Sequence, residues 1–128
     1  MSDAKEMKKV VMLTKENILG ANDLLIRDVD VPEWRGVVQL RSLPGTERDL
    51  FENTVQKRKV GANLELKGLK VLLLSLTIID GEGKLMFSES DLDKLNSKSA
   101  KVINKLFEVA TEMNGIGEEA VEELRKNS

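Results

Sequence analysis

The stretch that decides the fold runs Val31-Pro32-Glu33-Trp34-Arg35-Gly36-Val37-Val38-Gln39-Leu40-Arg41-Ser42-Leu43-Pro44-Gly45-Thr46-Glu47-Arg48. It contains both prolines and the only tryptophan of the chain. Before it, Arg27, Val29 and Val31 fall on one face of a period-two segment, and Ile26, Asp28 and Asp30 on the other. Pro32 ends that strand because it has no amide hydrogen to give to a ladder. Gly36 lets the chain reverse, and Val38 and Leu40 alternate along a return strand. Leu43-Pro44-Gly45 breaks the sheet, and Thr46 is placed to cap a helix through Leu50, Phe51 and Val55 toward Lys59. The passage reads as a β-hairpin leading into a helix.

Upstream, Thr14 is placed to cap a short helix, Lys15 to Leu19, which Gly20 ends. Residues 1–12 read as an extension, and residues 13–128 as one domain. Downstream, Val71-Leu72-Leu73-Leu74-Ser75-Leu76 is leucine-rich rather than β-branched and long for a strand, so a buried helix is expected. Ile78 to Phe87 reads as a turn between two short extended pieces. Ser88 and Asp91 have capping-box spacing before a short helix holding Leu92 and Leu95. A longer helix carries Ile103, Leu106, Phe107, Ala110 and Met113 on one stripe, with Asn114-Gly115 closing it. Residues 116–125 are expected to form an acidic terminal helix. The fold class is therefore α+β: an N-terminal β-hairpin packed against a mostly helical C-terminal bundle. The expected core is Val38, Leu40, Leu50, Val55, Leu72, Leu76, Leu92, Leu95, Ile103, Leu106 and Phe107.

Composition narrows the chemistry. The chain of 128 residues is 41% hydrophobic and 33% charged, a globular balance, and its 3% of aromatic residues makes the core aliphatic. It has no cysteine and no histidine, which removes disulfides, thiolate or imidazole metal sites, and Ser-His or Cys-His nucleophile pairs. A formal charge of −2 gives no general attraction to nucleic acid or acidic membranes. The apolar run from Leu69 to Ile79 is far shorter than the ~20 residues that cross a bilayer, and no signal peptide pattern stands at the start. No enzyme, cofactor, metal, membrane or nucleic-acid role is expected.

Tempting motifs have plainer readings. In Asp80-Gly81-Glu82-Gly83-Lys84, a calcium loop would place a cation at its fifth ligand position and Leu85 where glycine is required. A phosphate loop would need glycine at Ile78 and a hydroxyl residue after Lys84. A polar hairpin turn is the better reading. Gln56-Lys57-Arg58-Lys59 lacks stacking aromatics and reads as a solvated helix end. Trp34 is either a binding hot spot or a lid on the core. Met113, Ile116, Val121 and Leu124 continue an apolar stripe toward the C-terminus, which packs in the core or docks a partner. These five residues are the expected partner-binding set.

The order of pieces resembles the tail assembly chaperones of long-tailed, non-contractile bacteriophages and their prophages. The matching segments are Leu13-Thr14-Lys15-Glu16-Asn17-Ile18-Leu19, Val31-Pro32-Glu33-Trp34-Arg35-Gly36, and Val38 through Arg48. Leu76 through Phe87, Ser97-Lys98-Ser99 and Met113-Asn114-Gly115-Ile116 match as well. At Arg35 the family more usually has glycine. The resemblance implies a non-catalytic protein in the cytoplasm of a bacterial host. It would bind the tape measure protein, with the tail tube protein as a further partner, and keep it soluble until the tail tube polymerises. A free apolar stripe also makes self-association an expectation. The family is made in two lengths through a ribosomal frameshift, and Arg125-Lys126-Asn127 can be encoded AGA-AAA-AAC, which contains a slippery heptamer. The alternative is a structural tail or head–tail connector component retained in the virion.

Overall fold

The computed structural model describes residues 10–60, 63–64 and 68–116. The alternation around Val29 and Val31 forms strand β1 (Ile26–Val31), followed by a 3-10 turn (Pro32–Trp34) and strand β2 (Gly36–Arg41). The two strands pair antiparallel with Val29 opposite Val38 and Arg27 opposite Leu40. This register turns Val29, Val31 and Leu40 into the core, where each is buried. The chain reverses at Arg35 rather than at Gly36. Arg35 takes the left-handed conformation (φ 58°) and donates its N–H to the Pro32 carbonyl at 3.0 Å. Gly36 is already the first residue of β2, opposite Val31.

Helix α1 (Lys15–Leu19) precedes the hairpin, and helix α2 (Gly45–Lys57) follows it. The residue that caps α2 is Pro44, whose side chain offers no acceptor, and Thr46 lies inside the first turn. Pro44 stands just outside the helix in extended conformation (φ −64°, ψ 163°) and Gly45 is the first helical residue, so the Thr46 hydroxyl lies past the cap position. The inward stripe of α2 runs through Phe51 and Val55, one turn apart. Leu50, about 100° around the helix from Phe51, is 50% exposed and stands outside the expected core. A two-residue ribbon, β3 (Lys59–Val60) with β4 (Asn63–Leu64), follows α2.

Helix α3 (Leu69–Thr77) is the leucine-rich segment, and seven of its nine residues are buried. Its two buried hydroxyls bond within the helix, Ser75 to the Leu72 carbonyl at 2.7 Å and Thr77 to that of Leu73 at 3.0 Å. The helix passes without a loop into strand β5 (Ile78–Ile79). β5 pairs antiparallel with β2, Ile78 opposite Leu40, so β2 is the central strand and β1 an edge. The following turn is closed by Asp80, whose carboxylate accepts the N–H groups of Glu82 at 2.8 Å and Lys84 at 3.1 Å. A 3-10 turn (Glu89–Asp91) leads into helix α4 (Leu92–Asn96), and Ser88 and Asp91 make the expected capping box.

Helix α5 (Ala100–Met113) packs along α3 and also touches β2. It buries Val102, Ile103, Leu106, Phe107, Ala110, Thr111 and Met113. At its end Gly115 takes φ 58°, and the Asn114 side chain accepts the Leu43 N–H while donating to the Ala110 carbonyl at 2.7 Å. Arg48 of α2 donates to the Asn114 carbonyl at 2.8 Å, joining this corner to α2. The acidic terminal helix expected over 116–125 lies outside the described residues beyond Ile116. Of the expected core, Leu40, Leu76, Leu95, Ile103, Leu106 and Phe107 are buried; Val38, Val55, Leu72 and Leu92 are partly so.

Leu106 is fully buried, so Leu106→Ala should destabilise the fold by about 2–5 kcal/mol in chemical denaturation. Leu50→Ala should change stability by less than about 0.5 kcal/mol. Equal losses at the two sites would overturn this division of the core. Arg35→Gly should raise the denaturation midpoint, because a side chain in the left-handed region costs roughly 1–2 kcal/mol that glycine avoids. A lowered midpoint would show that the Arg35 side chain contributes more than its backbone strain costs.

Candidate partner-binding surface

Among the described residues, the segment before the hairpin exposes a run of large apolar side chains. Thr14 and Asn17 form a reciprocal capping box at α1, with 3.1 Å bonds in both directions, and Gly20 closes the helix on the Glu16 carbonyl. The helix is well built at both ends, yet none of its residues is buried. Around it, Val10 is 80% exposed, Met12 82%, Leu13 65%, Ile18 57%, Leu19 76% and Leu25 60%. An isolated five-residue helix gains too few hydrogen bonds to be stable in water. Leaving large aliphatic side chains in water forgoes roughly 1.5–3 kcal/mol each. This arm, residues 10–25, is tied to the hairpin through Ser42. Leu25 donates to the Ser42 hydroxyl at 2.8 Å, and the Ser42 N–H returns to the Leu25 carbonyl at 2.8 Å.

A second apolar feature lies at the other end of the hairpin. Trp34, Phe87 and Leu95 line a cleft of about 530 Å³ whose remaining wall is Asp91, Lys94 and Lys98. Trp34 and Phe87 are half-buried and pack on the core from one side. Trp34 is thus both a lid on the core and an open apolar wall.

The other expected binding residues lie elsewhere. Met113 and Ile116 are 8% and 9% exposed and belong to the core. Asn114 and Gly115 turn the chain so that the N–H of Ile116 returns to the Thr111 carbonyl at 3.0 Å, which folds that side chain inward. Val121 and Leu124 lie outside the described residues. The arm's signal is visible in the sequence: Val10-Val11-Met12-Leu13 and Ile18-Leu19 are apolar, but the segment is too short to have its own core. In the basic cluster, Lys57 is exposed at the end of α2 and the Arg58 N–H closes the helix on the Thr54 carbonyl at 3.1 Å.

The charged groups do structural work. Arg41 reaches both Glu47 and the Leu76 carbonyl at 3.4 Å, joining β2 to α2 and the end of α3. Arg27 pairs with Glu112 at 2.7 Å across a largely exposed gap, an arrangement that contributes little. Two carboxylates are held below the usual range. Asp80 is lowered by the N–H groups of Lys84 and Glu82, and Asp91 by the N–H and hydroxyl of Ser88. General acid–base catalysis near neutrality needs the opposite shift. Among the described residues no three acidic side chains gather to hold a metal, and no helix is long and apolar enough to cross a membrane.

No family model matches the chain, and no curated protein matches it in sequence. Among solved structures, the tail assembly chaperone of bacteriophage HK97 superposes with a TM-score of 0.55. The likeness is one of fold. It covers 86% of this chain and 91% of the HK97 chain at 20% sequence identity, so it spans nearly the whole architecture and not one motif.

The lowered carboxylates set the acid response. Each contributes stability that is complete above the ordinary aspartate range and fades as pH falls through the depressed folded value. Thermal stability should therefore decline with acidification below about pH 4, and Asp91→Asn combined with Asp80→Asn should flatten that part of the profile. A double variant that keeps the wild-type profile would assign the acid response to other groups.

Proposed function

We propose that this chain is a non-catalytic tail assembly chaperone of a long-tailed bacteriophage, which binds the tape measure protein and keeps it soluble in the host cytoplasm during tail assembly. The observation that carries the reading is the exposed arm. A soluble domain that leaves Val10, Met12, Leu13, Ile18, Leu19 and Leu25 in water holds apolar surface in reserve for another molecule. The shared architecture with the HK97 protein and the ordered segments from Leu13 to Ile116 support the same assignment.

The arm suits this task physically. Its apolar side chains are presented on a short capped helix and a flanking extended segment, both joined to the body through Leu25 and Ser42. A long, largely helical client with apolar seams would gain cover from such a segment. The body supplies charged surface that keeps the complex in solution. In this reading a frameshifted longer form adds a second module beyond residue 128, which raises the local concentration of both at one client.

Co-expression with a tape measure protein from the same phage genome should move that protein into the soluble fraction. Ile18→Asp with Leu19→Asp should lower the soluble yield severalfold, while thermal stability stays near wild type because both positions are exposed. A tape measure protein that is equally soluble without this chain would overturn the chaperone reading. Recovery of the chain in stoichiometric amount from purified virions would favour the structural-component reading instead.

A further inference from the structure

The described part of the chain ends at Ile116, in the corner where the apolar arm joins the body. We infer that residues 117–128 of the same chain dock on that arm and cover it.

The roots of the two segments adjoin. The arm is fastened by the paired bonds between Leu25 and Ser42, each of 2.8 Å. The next residue, Leu43, donates its N–H to the Asn114 side chain, and Arg48 donates to the Asn114 carbonyl at 2.8 Å. Ile116 follows two residues later, with its N–H turned back to the Thr111 carbonyl at 3.0 Å. Arm and tail thus leave the body from one corner. From Ile116 to Leu124 are eight residues, about 12 Å as a helix and about 26 Å extended. From Leu25 back to Ile18 are seven residues, at most about 23 Å. The tail can therefore reach the arm without any movement of the body. The cleft at Trp34 lies at the other end of the hairpin, six strand residues or about 20 Å further away.

The two segments also match in chemistry. Ile18 and Leu19 stand in water on the arm. The tail supplies Val121 and Leu124, spaced three apart like neighbours on one helix face. Bringing the two sets together removes apolar surface from water on both sides. Charge favours the same contact. Glu118, Glu119, Glu122 and Glu123 make the first part of the tail acidic, whereas residues 5–15 carry Lys5, Lys8, Lys9 and Lys15 against Glu6 alone. Lys15 takes part in no salt bridge among the described residues. A cover joined to the same chain acts at high effective concentration, so weak contacts hold it and a stronger partner displaces it. Displacement by a client rests on the proposed function; the docking itself does not.

The chain has no cysteine, so an introduced pair reports proximity cleanly. Ile18→Cys with Leu124→Cys is oxidised in the full chain, in a glutathione buffer at low protein concentration. It should close a disulfide within one chain, which requires the two Cα atoms to come within about 7 Å. Val37→Cys with Leu124→Cys should not, because Val37 is exposed at the far end of the hairpin. Adding Glu122→Lys and Glu123→Lys to the first pair should lower its yield severalfold. Separately, Val121→Asp with Leu124→Asp should raise the fluorescence of added anilinonaphthalene sulfonate severalfold, with thermal unfolding of the body near wild type. Equal yields from the two cysteine pairs overturn the inference. So does a first pair that forms no disulfide, or forms one only between chains, and so does dye fluorescence that stays at the wild-type level. None of these measurements contains a tape measure protein, so the docking can fail while the chaperone reading stands, and the reverse.

Discussion

Everything in this fold answers to the burial of one short helix. Residues Leu69–Thr77 are apolar nearly all the way round, and seven of the nine are removed from water. A helix of that kind needs neighbours on every side. Here α5 covers its length, α2 and α4 add further cover, and the sheet begins where the helix ends. With three phenylalanines and one tryptophan in the chain, the work falls to leucine, valine and isoleucine. Two hydroxyls tolerated inside, those of Ser75 and Thr77, each bond to a carbonyl one turn back.

The legible parts of the sequence were those with a clean period or a local chemical signature. β1 and β2 follow from alternation, α5 from its stripe, α1 from its Thr14 cap, and α4 from the Ser88–Asp91 capping-box spacing. The errors arose where a backbone preference overrode a side-chain signal. Thr46 has a capping hydroxyl, but the helix already begins at Gly45 with Pro44 in the cap position; Phe51 points inward and Leu50 outward. Gly36 offers the freedom to reverse, yet Arg35 bears the positive φ. The glycine that is more usual at position 35 in the resembled family is what that backbone conformation would favour.

The candidate site was less legible than the fold. Trp34 in a charged hairpin reads as either a binding hot spot or a lid on the core, and it packs on the core with one side while lining an open cleft. Met113 and Ile116 continue an amphipathic stripe, and periodicity cannot tell whether such a stripe meets its own core or a partner. The arm inverts the problem. It has apolar residues and good caps, the marks of a core helix, and only the three-dimensional arrangement shows that none of the helix's residues is buried. Exposed apolar surface is a property of tertiary structure, not of composition.

The junction between Thr77 and Ile78 has a mechanical meaning. Helix and strand share consecutive residues, with Thr77 fully buried and Ile78 laddered to Leu40 on the central strand. Rolling α3 about its axis would therefore twist β5 against β2, and shearing the sheet would turn the helix within the bundle. The two layers form a single crankshaft, without a bearing between them. Shape change that leaves this shaft intact is then confined to the parts that hang off it, the arm before β1 and the turns at the rim.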